Sequence, residues 1–327
     1  MVAVHSTARG PSLGGCRMWT YDDPWGAAMD AVRLSRAMTF KSAVAGLPLG
    51  GGKGVVMLPV GGAPPQGEAR RAVLLDFADT IEALGGAYVT AEDVGTSEPD
   101  MRVIAEGTDH VSGLAEGSGD PSPWTALGVE AAIRVACERA LGSDSLEDRR
   151  IAVIGLGHVG APLAELLAEG GARLVVADID EGHRAIAERL GAEWTDPASA
   201  LRADVDVLAP CALGGLLDAV SVPELRCRAI AGAANNQLAH EGIAALLSDR
   251  GILWVPDFVA NGGGVINISV EFEPGGYSRE RADAKVRGVA DTVRTVLDHA
   301  DATGATPLAA ALEIARRRVE EATAAAS

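Results

Sequence analysis

The chain has 327 residues, 48% of them hydrophobic and 22% charged, which is ordinary for a soluble globular protein and enough for about two domains. Forty-five acidic against 28 basic residues give a net charge of −17, which argues against nucleic acid or an anionic membrane as partner, since both need a basic face. Cys16, Cys137, Cys211 and Cys227 lie far apart with no Cys-x-x-Cys pair, so neither a disulfide framework nor a metal site is expected. No apolar run approaches the ~20 residues needed to span a bilayer. The opening Met1-Val2-Ala3-Val4-His5 lacks the basic and apolar regions of a signal peptide, so the expected location is cytoplasmic.

In chain order, Met1 to His5 reads as a short strand. Asp23-Pro24 offers an N-cap followed by proline at the first helical position, and predicts a helix through Arg36. Val55 to Leu58 reads as a strand emerging from a glycine-rich segment, Gly67 to Leu84 as a helix, and Tyr88 to Ala91 as a strand running into Glu92-Asp93-Val94-Gly95-Thr96. Gly113 to Pro123 has the Gly, Ser, Asp and Pro content of a hinge. A helix from Trp124 to about Leu141 then leads into a second domain.

Two lysines carry the chemistry of the first half. Lys41 closes Met38-Thr39-Phe40-Lys41, and Lys53 sits in Gly50-Gly51-Gly52-Lys53-Gly54. Glycine on both sides lets backbone and substrate approach Lys53 closely. A second cation nearby disfavours the charged form of the first, which is one route to a lysine usable in acid–base work near neutral pH. A lone lysine in a turn is usually a surface residue. A surface turn does not need four glycines around it, and a nucleotide fingerprint follows.

That fingerprint is Gly155-Leu156-Gly157-His158-Val159-Gly160, between a strand at Arg150–Ile154 and a helix running to about Glu169. The next strand, from Arg173, ends in Asp178. Strand, glycine turn, helix, strand and acidic residue in this order are what a dinucleotide fold requires. Gly155 permits the turn, Gly157 admits the pyrophosphate, Gly160 lets helix and strand pack, and Asp178 accepts from the adenosine ribose. Later strands, Val205 to Ala209, Ala229 to Gly232 and Ile252 to Val255, end in polar loops. These are Pro210-Cys211-Ala212, Ala233-Ala234-Asn235-Asn236-Gln237 and Asn261-Gly262-Gly263-Gly264, at the edge where such sheets bind ligands. Thr306-Pro307 caps a last helix with Leu308, Leu312, Ala315 and Val319 on one face. Arg316 to Arg318 is expected on its solvated side.

These segments resemble the Glu/Leu/Phe/Val amino-acid dehydrogenase family, in particular its leucine, phenylalanine and valine branch. The resemblance runs along nearly the whole chain: Gly10 to Trp19, both lysine segments, Ala91 to Thr96, Pro121 to Val129, the nucleotide turn, Gly232 to Leu238 and Pro256 to Asn267. It implies an α/β chain: an N-terminal α/β substrate and oligomerisation domain over 1–124, and a Rossmann-like, doubly wound NAD-binding domain over 125–304. The helix 305–327 is expected to dock back on the first domain, and the cleft to lie between the domains. The implied reaction is reversible, NAD-dependent oxidative deamination of an L-amino acid to the 2-oxo acid and ammonium by a homo-oligomer. Lys41 would pair with the substrate carboxylate, Lys53 would act on the carbonyl or attacking water, and Asp93 would exchange protons with the amine. Gly14 and Gly15 would line the cleft, and Asn261 would lie on the carboxylate side. The side-chain pocket would involve Leu13, Ala91, Val265 and Ile268, all apolar, which implies leucine, valine or isoleucine as substrate. The cofactor would meet the turn Gly155–Gly160, His158 and Val159 included, together with Asp178, Ala209, Cys211 and Ala233. Thr125 and Asn235 would lie at the nicotinamide end.

The chain departs from the family pattern in small ways. Members usually carry a further helical segment before the strand that opens here, threonine is commoner at Cys16, and alanine at Gly54. Alternative readings are an aromatic (phenylalanine or tryptophan) or a glutamate dehydrogenase, or a catalytically silent nucleotide-binding paralogue. Lys41, Lys53 and Asp93 standing together argue against silence.

Overall fold

The computed structural model describes residues 1–326 as two compact units. The first comprises Met1–Pro121, Val265–Ala282 and the chain from Ile314 onward; the second comprises Ser122–Gly264 and Asp283–Glu313. Sequence placed 125–304 together as one domain, whereas here 265–282 counts with the first unit. The first change of unit falls at Pro121–Ser122, within the expected hinge, and the later ones fall inside helices Gly263–Ser269, Arg279–Arg287 and Pro307–Ala326, where composition gives no linker signal.

In the first unit β1 (Val2–Ser6), β2 (Ser12–Leu13), β3 (Cys16–Thr20), β4 (Gly50–Leu58) and β5 (Tyr88–Val89) form one sheet. β4 is its hub. It pairs antiparallel with β1 and parallel with β2 and β3, while β2 also pairs parallel with β5. Helix α1 (Pro24–Val44) opens where expected: the Asp23 carboxylate accepts the Gly26 N–H at 2.7 Å and Pro24 follows the cap. It runs eight residues past the expected end at Arg36, because nothing breaks it before Gly46, and so Lys41 lies in its last turn. Arg318 of the C-terminal helix donates to the Ala43 and Val44 carbonyls at 3.0 and 2.6 Å. It adds a donor to carbonyls at the C-terminal end of α1, with its positive charge at the negative end of the helix dipole. This corrects the expectation that Arg316–Arg318 is simply a solvated face; Arg316 and Arg317 are exposed and Arg318 is not. Helices α2 (Gly67–Glu82) and α3 (Glu98–Ile104) bring Phe77, Ile81, Met101 and Ile104 onto a core with Cys16, Met18 and Tyr88.

The glycine-rich lysine segment is itself part of β4, not a turn preceding a strand. Its glycines admit neighbouring protein. A Cβ on Gly51 would lie 2.0 Å from the Thr39 nitrogen, and one on Gly52 would lie 2.5 Å from the Tyr88 ring. Helix α1 and Tyr88 therefore press directly on the strand at the residues flanking Lys53.

The second unit holds six parallel strands: β6 (Arg150–Ile154), β7 (Arg173–Ala177), β8 (Glu193–Thr195), β9 (Val207–Pro210), β10 (Ala229–Ile230) and β11 (Leu253–Trp254). Their order is β11-β10-β9-β6-β7-β8, which counted within the unit and read from the β8 edge is 3-2-1-4-5-6, the doubly wound order expected from the sequence. Helix α4 (Ser122–Leu141) precedes β6, and α5 (Gly160–Glu169) follows the glycine turn. Ile154, Val175, Leu208, Ile230 and Trp254 share its buried core.

Candidate active site

Lys53 points from β4 into a nearly closed setting, with 5% of the residue exposed. Its Nζ lies 2.8 Å from Asp93 Oδ2. Asp93 follows β5 in a turn held by its own backbone: Thr96 Oγ1 accepts the Asp93 N–H at 3.0 Å and donates to the Cys16 carbonyl at 2.8 Å. Gly15 lies against this turn, and a Cβ there would come within 2.8 Å of Asp93 Cβ. Gly14, between β2 and β3, packs against β4, where a Cβ would be 1.7 Å from the Gly52 oxygen, and its own carbonyl accepts the Tyr88 hydroxyl. The structure thus brings Lys53, Asp93, Gly14 and Gly15 together. Leu13, Ala91, Val265 and Ile268 are all buried and belong to the same unit.

Burial pushes the Lys53 ammonium below its ordinary pKa; Asp93 opposes the shift, and the Arg17 guanidinium adds to it. For Asp93 burial works the other way, yet Lys53 and Arg17 together hold the carboxyl below its usual range. The result is a lysine that parts with its proton more easily than usual beside a carboxylate that stays ionised, two groups with separated acid–base roles. Cys16, beneath them and fully buried, has its thiol pushed up to about 12 and takes no part near neutral pH.

Arg17 is a residue the sequence reading missed. Its Nε donates to Asp93 Oδ2 at 2.9 Å and its Nη1 to Asp30 Oδ2 at 3.0 Å, while Asp30 also accepts from the Tyr21 hydroxyl at 2.7 Å and from Arg33 at 2.7 Å. The available signal was a lone charge in the strand Cys16–Thr20. Behind this network lies an open groove of about 720 Å³ with Trp19, Met29 and Val94 on its walls; Lys53, Leu13 and Ala91 do not line it.

In the second unit the glycine turn lies between β6 and α5. Gly155 has φ +100°, and a Cβ there would sit 2.8 Å from Ala212. A Cβ on Gly160 would be 1.8 Å from the Gly155 oxygen and 3.2 Å from Cys211 Cβ. Gly157 faces open space, as a residue beside a pyrophosphate should. Asp178 Oδ2 accepts the Leu156 N–H at 2.6 Å, which fixes the carboxylate beside the turn. His158 is exposed in the turn, Val159 caps α5, and Ala209 is buried in β9 beside β6. At the other end Asn261 Nδ2 donates to the Ala233 carbonyl at 3.1 Å and to Asn235 Oδ1 at 2.9 Å, so the two asparagine loops meet. Asn261 Oδ1 is buried with no hydrogen-bond partner among the described residues, an acceptor that a bound donor can satisfy. Gly263 packs on Thr125, to whose Cα a Cβ would come within 3.1 Å. Gln237, also missed, locks this edge: fully buried, it donates to the Gly232 and Ala234 carbonyls and accepts from Trp254 Nε1. The residues present fit a dinucleotide.

A doubly wound nucleotide fold with a lysine–carboxylate pair on a separate unit defines a dehydrogenase by class. Comparison with known proteins narrows it. A model of the Glu/Leu/Phe/Val dehydrogenase dimerisation domain matches residues 1–110, and one of the Glutamate/Leucine/Phenylalanine/Valine dehydrogenase domain matches residues 176–326. A leucine dehydrogenase of Thermoactinomyces intermedius is 42% identical over 325 residues, covering 98% of this chain and 87% of that protein. A valine dehydrogenase of Streptomyces virginiae is 41% identical, covering 98% and 90%. The crystal structure of L-tryptophan dehydrogenase from Nostoc punctiforme superposes with a TM-score of 0.86 at 36% identity, covering 98% of this chain and 92% of that one. The chain belongs to the Glu/Leu/Phe/Val dehydrogenase family, as its motifs implied.

Proposed function

We propose that the protein is an NAD-dependent dehydrogenase that interconverts an apolar L-amino acid, branched-chain first, with its 2-oxo acid and ammonium. The observation that carries this reading is the buried Lys53–Asp93 pair beside Gly14 and Gly15, within a chain 42% identical to a leucine dehydrogenase along nearly its whole length. Lys41 anchors the substrate carboxylate. Asp93 takes a proton from the substrate ammonium, leaving the free amine. Bound NAD supplies the acceptor for the Cα hydride, and the substrate is left as an iminium. Lys53, neutral, then removes a proton from the water that attacks the iminium carbon. Asp93 returns its proton to nitrogen, and ammonia leaves as the carbonyl forms, the proton on the carbinol oxygen passing to the Asp93 carboxylate or to solvent, since Lys53 already holds the water proton. Acid and base contributions of this kind are each worth about 10²–10⁴-fold in rate.

Asp178 selects the unphosphorylated adenosine ribose, and the glycine turn with His158 and Val159 holds the pyrophosphate. Ala209 and Cys211 line the floor, and Thr125, Ala233, Asn235 and Asn261 the nicotinamide and carboxylate end. Leu13, Ala91, Val265 and Ile268 form the side-chain pocket. None of the four can pair a second carboxylate, so glutamate would bury an unpaired charge. One methylene is worth only about 1–3 kcal/mol in such a pocket, so discrimination among leucine, isoleucine and valine is shallow. The first unit is the substrate and oligomerisation domain of a homo-oligomer, in keeping with the dimerisation-domain model that matches it. The four free cysteines suit the reducing cytoplasm. The test is steady-state kcat/KM with NAD across leucine, valine, isoleucine, phenylalanine, tryptophan and glutamate. The reading fails if glutamate equals or exceeds the best apolar substrate, or if none is turned over.

A further inference from the structure

Arg17 is clamped from both sides. One nitrogen donates to Asp93 Oδ2 at 2.9 Å, the same oxygen that receives Lys53 Nζ at 2.8 Å, and another donates to Asp30 Oδ2 at 3.0 Å. Asp30 is itself held by Tyr21 and Arg33. The three side chains Arg17, Asp30 and Asp93 are each about one-fifth exposed, so the clamp lies at the edge of the site. A lysine that works as a base spends part of each cycle neutral. Until it takes the substrate proton, Asp93 would then be a largely buried carboxylate with no counter-ion, which is costly. Either the lysine would keep its proton or the carboxyl would take one. A guanidinium beside the carboxylate avoids both outcomes, because it remains charged at every working pH.

We propose that Arg17 is a positioning residue of this site, a fixed cation clamped between Asp93 and Asp30 that keeps the Asp93 carboxylate ionised and in place beside a neutral Lys53 until it takes the substrate proton. The inference rests on the amino-acid dehydrogenase reading and names a residue with no contact to the reacting atoms. Its consequence is a sign. Replacing Arg17 by a neutral residue removes a like charge from Lys53 and leaves Asp93 to Lys53 alone, so the lysine holds its proton more tightly. Replacing Asp30 by a neutral residue leaves the Arg17 charge opposed by Asp93 only, so the lysine holds its proton less tightly. Other titratable groups on the elements around β4 are the Cys16 thiol, the Tyr88 phenol, Asp100 paired with Arg70, the Met1 amine, His5 and Lys41. The thiol and phenol are pushed to high pKa by burial. All of these groups are unchanged in the variants compared.

The experiment is the pH profile of kcat/KM for the enzyme with NAD and L-leucine, for wild type, Arg17→Gln, Arg17→Lys and Asp30→Asn. The acid limb should move up by about one pH unit in Arg17→Gln, lowering kcat/KM about tenfold below the limb, and should move down, by less, in Asp30→Asn. Arg17→Lys keeps the charge but not the two-sided grip, so its limb should stay near wild type while kcat falls. Rates that fall with the limb unmoved in both Arg17→Gln and Asp30→Asn would mean a purely structural role and overturn the proposal. Should Arg17→Gln fail to fold, the remaining pair decides: a limb moved up in Asp30→Asn or in Arg17→Lys refutes it. Wild-type turnover of leucine separates failure of this inference from failure of the functional reading.

Discussion

Asp93→Asn is the substitution in which stability and catalysis give linked, signed outcomes. The amide keeps the shape and loses the charge that Lys53 meets at 2.8 Å and Arg17 at 2.9 Å. At an effective dielectric of about 20 a pair at that distance is worth roughly 6 kcal/mol of Coulomb attraction, most of it offset by desolvation. Removing one partner of a buried pair costs about 3–5 kcal/mol. Asp93 is about one-fifth exposed and Arg17 keeps Asp30, which brings the expected loss to about 2–3 kcal/mol while Lys53 is charged. Lys53 can also shed its proton instead of remaining a buried cation. Without Asp93 its already lowered pKa falls further. Between the variant's and the wild type's Lys53 pKa, the wild-type native state binds the extra proton. Wild-type stability therefore rises less steeply with pH there, and the variant's deficit narrows. Urea midpoints by circular dichroism should show the largest deficit near about pH 6 and a smaller one near about pH 9.5. At every pH kcat should fall by about 10²–10⁴-fold, because the amide cannot take the amine proton. Turnover within tenfold of wild type, or a deficit that grows with pH, would refute the assignment.

Lys53→Ala should abolish turnover while leaving NADH binding, measured by fluorescence titration, largely intact; a near-native kcat excludes Lys53 as the base. Lys41→Ala should chiefly raise KM for the amino acid, as loss of a carboxylate anchor does, with a smaller fall in kcat. NAD should be preferred over NADP, because the 2′-phosphate meets Asp178, and Arg184, the nearest downstream cation, lies 3.5 Å from Glu181 and over the Trp194 ring. Comparable kcat/KM values for the two cofactors would contradict this. Gly52→Ala should lower the melting temperature, since its Cβ would come 2.5 Å from the fully buried Tyr88 ring and overpacking of this kind costs about 1–3 kcal/mol; an unchanged melting curve would show that the ring has room to give.

The parts of this fold legible in the sequence are those written locally. The strand Arg150–Ile154, the glycine turn and the helix to Glu169 are contiguous, and each carries its own periodicity and punctuation. The Asp23-Pro24 start of α1 was equally plain. What escaped depends on partners far along the chain. Ser12–Leu13 is a strand only because it lies between β4 and β5, and two residues have no periodicity to detect. Arg17 and Asp30 become a clamp only when β3 and α1 are placed on the same strand. Arg318 reads as one of three surface arginines until α1 ends beside it. The C-terminal helix shows the same limit: of the expected face Ala315 is buried while Leu308, Leu312 and Val319 are half-buried, and Ala310, Ala311 and Ile314 outside that face are buried. Small residues against a close neighbour outweighed the larger apolar stripe.

The same logic revises why Lys53 stands among glycines. Glycine in a strand interior costs stability, because it has no side chain to pack and loses the most chain entropy. β4 accepts that cost at Gly50, Gly51, Gly52 and Gly54, and at each a Cβ would collide with protein: the Ser6 carbonyl, Thr39, Tyr88 or Phe77. Close approach on both faces leaves the strand no room to shift, and the lysine rising from it is aimed by backbone hydrogen bonding to three neighbouring strands. Burial to 5% exposure then follows from how near those neighbours come, and burial is the largest cause of its lowered pKa. Substitutions at these glycines therefore act on proton affinity as well as on stability. A strand forced outward admits water to Lys53, and its pKa returns toward that of an ordinary lysine.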